Sequence, residues 1–335
     1  MKRPWQLTII LCIALALCSA ASHIAVRWLK IKATSTGYRV FGPQNRKPSA
    51  VLFGSSPTFD GLNWNRISEA IGDGIGNWAT PGSSPSEWEV MQQRSPDATR
   101  TFIGVSPTDL NECYLCDFRA EIVPLGQTIR DLRQCGSDWP FCRRVLNQYP
   151  LMFLRKLFPT AGRSDGVLVG IRAKLQKLAG RPAAGEAGDA PQFGGTSRPE
   201  LLEKVSDWSS AHVERRLVSA RASFLGKHSF DGLKKQALMR MLQRARQRGR
   251  VTLVVLPMAP IYQKEFLTPE VMRQFDQALA DVQRSCPELQ MVRLDHLAPL
   301  NDNDRFYDFI HLNTSGEQIS TAAFLDALKA SSNLR

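Results

Sequence analysis

The sequence lacks the local motifs that identify metal-dependent and nucleotide-binding enzymes. It contains no His-Glu-x-x-His, no Walker phosphate-binding loop and no carboxylates grouped at metal-ligand spacing. One glycine-rich string, residues 72–76, resembles a dinucleotide loop but precedes a predicted strand. A phosphate-cradling loop must instead follow a strand and open a helix. We therefore expect no cofactor and no metal ion.

Charged residues are missing from the amino end of the chain. No Lys, Arg, Asp or Glu lies between Arg3 and Arg27, and residues 7–26 are almost wholly apolar. About 20 such residues span a bilayer as a helix. We predict a transmembrane anchor over residues 1–30 that meets the membrane through residues 5–26. A cleaved signal peptide is the alternative, because Cys18-Ser19-Ala20 ends in a small residue.

Internal repeats are absent, and the remaining chain alternates between two kinds of segment. Short apolar, β-branched runs alternate with longer helical stretches, which predicts a parallel sheet covered by helices on both faces. The predicted strands are residues 50–53, 75–78, 101–105, 251–256 and 289–294, and the clearest helices are residues 63–71, 233–248 and 269–285. The prediction is an α/β three-layer sandwich with a central five-stranded parallel sheet, in which ligands bind at the carboxyl ends of the strands.

The strand and helix alternation is interrupted by residues 126–250, so we predict one domain over residues 40–330 with a helical insertion. The insertion carries 24 Lys and Arg against 10 Asp and Glu, while the whole chain has a net charge of +12. Its stretch 180–195, rich in Ala, Gly and Pro, predicts a flexible loop. The excess charge indicates either a surface for an anionic polymer or anionic lipid, or merely solvated helix faces. Nucleic acid is not an expected partner, because no binding motif accompanies the charge.

The cysteines are few and unevenly placed. Cys12 and Cys18 lie in the apolar segment and Cys286 stands alone, whereas four others fall within thirty residues of one another: Cys113, Cys116, Cys135 and Cys142. An even set in an exported protein predicts two disulfides, with three possible connectivities. A zinc site is the alternative, because Cys113-x-x-Cys116 has metal-like spacing.

Two distant fragments carry the candidate chemistry. Residues 51–60 place Ser56 just after a short apolar run, and residues 308–313 place His311 three residues after Asp308. A serine hydroxyl is a weak nucleophile, so it needs an imidazole base and a carboxylate that orients the base. Residues 314–317 read as a capping box that opens a helix, which puts Asp308 and His311 on the loop before it.

These fragments resemble the SGNH or GDSL-type serine hydrolases and acyltransferases. Gly54-Ser55-Ser56 is similar to the family's Gly-Asp-Ser block, and residues 308–311 are similar to its Asp-x-x-His block. Residues 77–85 and 102–109 stand where the second and third blocks fall. The resemblance implies Ser56 as nucleophile with His311 and Asp308. It also implies an oxyanion hole that uses the Ser56 N–H, Gly82 and a third-block residue, for which Ser106, Asp109 or Asn111 stands in place of the family's Asn.

The combination of a Gly-Ser-Ser block with a membrane anchor resembles one branch of this family, the proteins that acylate cell-envelope polymers. That resemblance implies acyl transfer, with acetyl as the expected group, to or from hydroxyls of an envelope or extracellular polysaccharide. It implies an inner-membrane protein with its catalytic domain outside the cytoplasm, and a membrane-bound protein as a further partner that donates the acyl group. Two alternatives are an esterase or lipase acting on small or lipid esters, and a catalytically inactive polysaccharide-binding or assembly factor with the same fold.

Overall fold

The computed structural model describes residues 4–28, 48–72, 74–116, 119–134, 139–158 and 208–331. The predicted flexible stretch 180–195 and Cys135 lie outside these residues. The chain divides into two compact units, which are treated separately below. One takes in Met1–Phe41 and Asp138–Pro191, and the other takes in Gly42–Ser137 and Gln192–Arg335.

The described residues form five strands and fourteen α-helices. In chain order these are α1 (Pro4–Trp28), β1 (Ala50–Phe53), α2 (Ser56–Gly61), α3 (Trp64–Ile71), β2 (Ile75–Asn77), α4 (Pro85–Arg94), β3 (Arg100–Val105), α5 (Pro107–Leu110), α6 (Arg119–Ile122), α7 (Leu125–Gln134), α8 (Trp139–Leu146), α9 (Gln148–Leu157), α10 (Ser210–Ala222), α11 (Leu233–Arg248), β4 (Arg250–Val255), α12 (Pro260–Phe266), α13 (Pro269–Ser285), β5 (Gln290–Arg293) and α14 (Thr314–Ala330).

The larger unit is built on a five-stranded sheet in the order β2-β1-β3-β4-β5. All four strand pairings are parallel, and the register places Ala50 opposite Ile75 on one side and Arg100 on the other. Each of the five predicted strands is confirmed, with bounds that differ by at most one residue. Fully buried parallel strands read as continuous apolar runs, and for this reason the sequence located them well.

One face of the sheet packs against α2, α3 and α14. Leu52, Phe102 and Val254 lie in one buried cluster with Trp64 and Phe324. The rings of Trp64, Phe102 and Phe324 have centroids 5.9–6.1 Å apart, and Phe324 meets both of the others edge-on. The packing of these rings fixes helix α14 against α3 and β3.

The opposite face of the sheet is covered by α4 and α11. Side chains alternate between the two faces of a strand, so Val51, Ile103 and Leu253 point away from the aromatic cluster, and all three are buried. Helix α11 contacts α4, α13, β3 and β4. Helices on both faces of a parallel sheet are consistent with the predicted three-layer α/β/α arrangement.

The carboxyl end of the predicted insertion forms a helix of the larger unit. Helix α11 matches the predicted bounds 233–248, but it belongs to the unit that contains the sheet and leads directly into β4. Its basic residues are also engaged. Arg240 and Arg244 both bind Glu89 of α4 at 2.7 Å, and Lys235 binds Asp281 of α13 at 2.9 Å. Part of the basic excess therefore pairs with carboxylates of α4 and α13.

The amino-terminal segment is helical, as predicted, over Pro4–Trp28. Among the helices of the described residues, none combines the length and the apolar character that crossing a bilayer requires. The transmembrane helix predicted from the sequence is therefore not found in the structure.

Candidate active site

The turn between β1 and α2 requires glycine because a helix residue packs against the strand backbone there. A Cβ placed on Gly54 would lie 2.2 Å from Thr58 Oγ1, and a Cβ on Gly104 of the neighbouring strand would meet the same atom at 2.2 Å. Thr58 is fully buried in the space that the two glycines leave. This close packing holds the start of α2 at the carboxyl ends of β1 and β3, where an α/β sheet binds ligands.

The two serines of this turn have different surroundings. Ser55 precedes α2 and is only 4% exposed, whereas Ser56 is the first residue of α2 and is partly exposed. Among the described residues, no hydrogen bond engages the Ser56 hydroxyl. The first N–H groups of a helix have no intrahelical acceptor, so a carbonyl oxygen beside Ser56 would meet unpaired donors. Accessibility thus favours Ser56 over Ser55 as the nucleophile.

A second loop at the same edge of the sheet carries Gly82, the predicted oxyanion glycine. Gly82 has a φ of 74°, in the left-handed region that glycine favours. The loop is tied to the serine turn, because Thr80 N donates to Gly54 O at 2.8 Å. On its other side, the Tyr114 hydroxyl donates to Gly82 O. These bonds keep the Gly82 loop beside the turn that carries Ser56, as the resemblance implies.

Asp308 and His311 form the hydrogen-bonded pair expected from their spacing. The ring nitrogen His311 Nδ1 lies 2.8 Å from Asp308 Oδ2, and Asp308 Oδ1 accepts the N–H groups of Ile310 and His311 at 2.8 Å each. Burial by itself raises the pKa of Asp308, but the bond and charge of His311 and these two backbone donors outweigh it, so the pKa lies below its ordinary value. The carboxylate is therefore charged at neutral pH and holds the imidazole by Nδ1.

The loop that carries this pair is supported by aromatic and basic side chains. The Tyr307 ring stacks on the His311 ring with centroids 5.1 Å apart and an angle of 6° between the planes. Arg216 of α10 donates to Tyr307 O at 3.3 Å, and its guanidinium lies 5.8 Å from the centre of the Trp208 ring. The loop ends in α14, whose N-cap is Asn313 and not the predicted Thr314, because the Asn313 side chain accepts the Gly316 N–H.

The structure brings the serine helix and the histidine loop into contact. A Cβ on Gly61, the last residue of α2, would lie 3.7 Å from Leu312 Cδ1, next to His311. Asn63 N, just beyond α2, donates to Thr321 Oγ1 of α14 at 2.9 Å. The buried His311 Nε2 atom has no hydrogen-bond partner among the described residues, so the bond from Ser56 to His311 is not formed in this structure.

Two of the predicted oxyanion residues make other side-chain hydrogen bonds in the structure. The Ser106 hydroxyl donates to Asp109 Oδ2 at 2.8 Å, and the Asn111 amide donates to Lys227 O at 2.6 Å. Both residues are fully buried. Ser106 is the N-cap of α5, and a capping box with Asp109 satisfies the start of that helix. The Ser56 N–H and Gly82 remain as oxyanion candidates.

Asp109 is a buried carboxylate beneath the serine turn. Burial raises its pKa to about 6, although Ser55, Ser106 and the charge of Lys234 act to lower the pKa. The Ser55 hydroxyl lies close to this carboxylate without the geometry of a full hydrogen bond. The Asp109 carboxyl group therefore lies between Ser55, which follows β1, and Ser106, which follows β3. Its pKa of about 6 is close to neutrality.

We expect the Asp109→Asn variant to change how stability depends on pH. A carboxyl whose folded-state pKa is raised stabilises the protein at low pH and loses that contribution as the pH rises toward 6. A shift of this size corresponds to about 3 kcal/mol. Urea unfolding at pH 4 to 7 should show the variant gaining about this much relative to wild type, with no further change above pH 7. The exposed Asp97→Asn control should show a constant difference, and a constant difference for Asp109→Asn would contradict the expectation.

The cysteine cluster does not form the two predicted disulfides in the described residues. Cys113 and Cys116 are not bonded to each other, Cys142 belongs to the other compact unit, and Cys135 lies outside the description. The thiol of Cys116 is buried near the Lys234 ammonium. Within the described part of the chain, no group of three His, Cys, Asp or Glu side chains is placed to hold a metal ion.

The sequence did not identify three residues that support the site. Tyr114 contacts Gly82, and Arg216 and Tyr307 hold the histidine loop. Tyr307 directly precedes Asp308, and an aromatic residue beside a catalytic motif is a usable local signal. Tyr114 and Arg216 are distant in sequence from the residues they contact, and nothing in their own neighbourhood distinguishes them.

Comparison with known proteins gives little further guidance. No protein-family model matches the chain, and no curated protein matches it. A solved structure described as "a putative platelet activating factor from Streptococcus pneumonia" aligns over 94% of this chain and 99% of its own, with 13% sequence identity and a TM-score of 0.37. A score this low supports no inference about fold or function.

Proposed function

We propose that the protein is a serine-dependent acyl-transfer enzyme of the SGNH type. The observation that carries the proposal is the 2.8 Å pair between Asp308 and His311, which leaves His311 Nε2 unbonded on a loop in contact with the Ser56 helix. An imidazole held by a carboxylate at one nitrogen and unpaired at the other is poised to accept a proton from a nucleophile. The sequence resemblance adds the family, and the five-stranded parallel sheet with helices on both faces supports the proposal.

The proposed reaction proceeds through an ester on Ser56. His311 Nε2 takes the hydroxyl proton as Ser56 Oγ attacks the acyl carbon, and the oxyanion that forms is stabilised by the N–H groups of Ser56 and Gly82. The leaving alcohol takes the proton from His311. In the second half, an acceptor hydroxyl gives its proton to His311 and receives the acyl group, which regenerates Ser56. Asp308 stays ionised throughout and stabilises the imidazolium.

We propose that the acyl group is acetyl and that the acceptor or donor is a hydroxyl of an envelope or extracellular polysaccharide. This step rests on the resemblance of the Gly54-Ser55-Ser56 block to the envelope-acylating branch, and on no contact in the structure. The same resemblance suggests a membrane-bound acyl donor and a position outside the cytoplasm. An esterase or lipase uses the same residues and differs only in whether water or a sugar hydroxyl accepts the group.

Product analysis separates these reactions. The full chain is incubated with an activated acetyl ester and a polysaccharide acceptor, and acetate and acetylated sugar are measured by mass spectrometry. We expect acetylated polysaccharide to accumulate, and to be absent with the Ser56→Ala variant. Formation of free acetate alone would identify an esterase and contradict the transferase proposal.

The inactive binding or assembly factor is a second candidate, favoured by one observation. The third-block side chains that should complete the oxyanion hole, Ser106 and Asn111, are turned into other hydrogen bonds. Removing a single oxyanion donor costs about 3 kcal/mol in other hydrolases. An enzyme with one donor fewer would be slower by about two orders of magnitude and still measurable, whereas a pure scaffold would form no acyl-enzyme.

A further inference from the structure

The smaller compact unit presents an apolar surface that the described residues leave uncovered. Helices α8 and α9 follow each other with Asn147 between them, and their contact buries Val145 and Tyr149. On the outside, four large apolar side chains are 43–71% exposed, namely Trp139, Phe153, Leu154 and Leu157. Contiguous exposed apolar surface on a folded protein marks a contact site more often than chance.

Helix α1 of the same unit carries further exposed apolar side chains. The Ser19 hydroxyl donates to Leu157 O, which joins the middle of α1 to the end of α9. Helix α1 exposes further aliphatic side chains, with Ile10, Leu11 and Leu17 each at 57% or more. The exposed apolar side chains of this unit therefore lie on helices that are far apart in sequence.

The charged side chains among the described residues of this unit are all basic. Its described residues, 4–28 and 139–158, contain five Lys and Arg residues and no Asp or Glu. Arg143 and Arg144 are exposed, and among the described residues no carboxylate pairs with either. The guanidinium of Arg144 lies 5.7 Å from the centre of the Phe141 ring, so a cation and an aromatic ring occupy adjacent positions.

We propose that this unit docks on the surface of a bilayer that contains anionic phospholipid. Aromatic and aliphatic side chains beside unpaired guanidinium groups suit the boundary where acyl chains meet negatively charged headgroups. A second copy of the chain is a poor occupant, because a two-fold contact through this face would bring Arg143 and Arg144 of both copies together without any described acidic residue to balance them. The docking proposal does not depend on the proposed acyl-transfer activity.

Sedimentation with lipid vesicles tests the proposal on the full chain. We expect tighter binding to vesicles of phosphatidylglycerol and phosphatidylcholine than to phosphatidylcholine alone. The Arg143→Gln/Arg144→Gln variant should lose about fivefold in affinity per charge, and Trp139→Ala/Phe153→Ala should lose roughly tenfold or more through its lost apolar area. Val218→Ala, an equally exposed apolar site on α10 of the other unit, is the matched control and should bind as wild type does.

Because α1 could bind lipid without α8 and α9, a position-specific measurement is needed. The Trp139 signal is obtained as the difference between wild type and Trp139→Phe, and lipids brominated on their acyl chains should quench it. Absence of quenching while the protein sediments with vesicles would overturn the docking of α8 and α9. So would equal binding to neutral and anionic vesicles, or a dimer without lipid that Trp139→Ala disrupts. Labelling of Ser56 in solution reports separately on the proposed enzyme.

Discussion

Replacing Ser56 by alanine is expected to abolish covalent labelling by a fluorophosphonate probe and to lower esterase or transferase turnover by at least about a thousandfold. The reason is that Ser56 Oγ is the only nucleophile in the proposed mechanism. It is partly exposed at the start of α2, and no described residue holds its hydroxyl. Labelling is measured by intact-protein mass spectrometry, with the site located by peptide mapping.

Ser55→Ala is the matched control for this experiment. Ser55 is the adjacent residue of the same type, but it is buried at 4% exposure and lies against the Asp109 carboxylate. The Ser55→Ala variant should still be labelled at Ser56, at a rate within about tenfold of wild type. Removing the Ser55 hydroxyl changes the support of the turn but leaves the attacking Ser56 hydroxyl in place. Labelling that persists in Ser56→Ala and disappears in Ser55→Ala would identify Ser55 as the nucleophile. A folded wild type that takes no label would favour the inactive binding factor.

The second large effect is expected from Asp308→Asn. An asparagine preserves the shape of the side chain, but it removes the charge that stabilises the imidazolium and no longer selects the tautomer of His311. The equivalent change in a serine protease lowers kcat by about 10⁴, and we expect a loss of roughly 10³- to 10⁴-fold here. The measurement is the second-order rate of fluorophosphonate labelling, together with ester hydrolysis, between pH 5 and 9.

The pH dependence of the Asp308→Asn reaction rates shows whether the loss of activity comes from catalysis or from folding. Because the pKa of Asp308 lies below its ordinary value, its carboxylate is charged at pH 5 and above, and its titration adds no step within the measured range. The loss in Asp308→Asn should therefore persist up to pH 9. Asp304→Asn, an exposed carboxylate of the same loop, should keep near wild-type rates. An Asp308→Asn enzyme with wild-type rates would remove the pair from the mechanism.

The hydrogen bonds of the two third-block residues, Ser106 and Asn111, have a common physical origin. In sequence, Ser106 and Asn111 are polar residues just past a strand, which is where a hydrogen-bond donor for the site would be expected. The same position is also the start of a short helix, and a helix start needs side chains that accept its unpaired N–H groups. Ser106 and Asp109 satisfy that need, and Asn111 binds the backbone of residues 227–229 from a distant segment. Local sequence could not decide between the two uses.

The sequence by itself determined the strands, the main helices and the spacing of the Asp308–His311 pair. These features depend on neighbours within a few residues: a buried parallel strand is a continuous apolar run, and an Asp three residues before a His can fold back onto it within one turn. Helices 233–248 and 269–285 were located to the residue because Gly232, Gly249 and Thr268 mark their ends. These features are decided by the steric preferences and the hydrophobicity of residues that are close together in sequence.

Only the tertiary structure decided the rest. Whether Ser55 or Ser56 faces outward depends on the packing of Thr58 between the backbones of two strands. The contact of α2 with Leu312, the bond from Tyr114 to Gly82 and the ion pairs of α11 with Glu89 all join residues that are far apart in sequence. Such contacts are selected by the shape and charge of the assembled core, and that information is not present in any one segment of the chain.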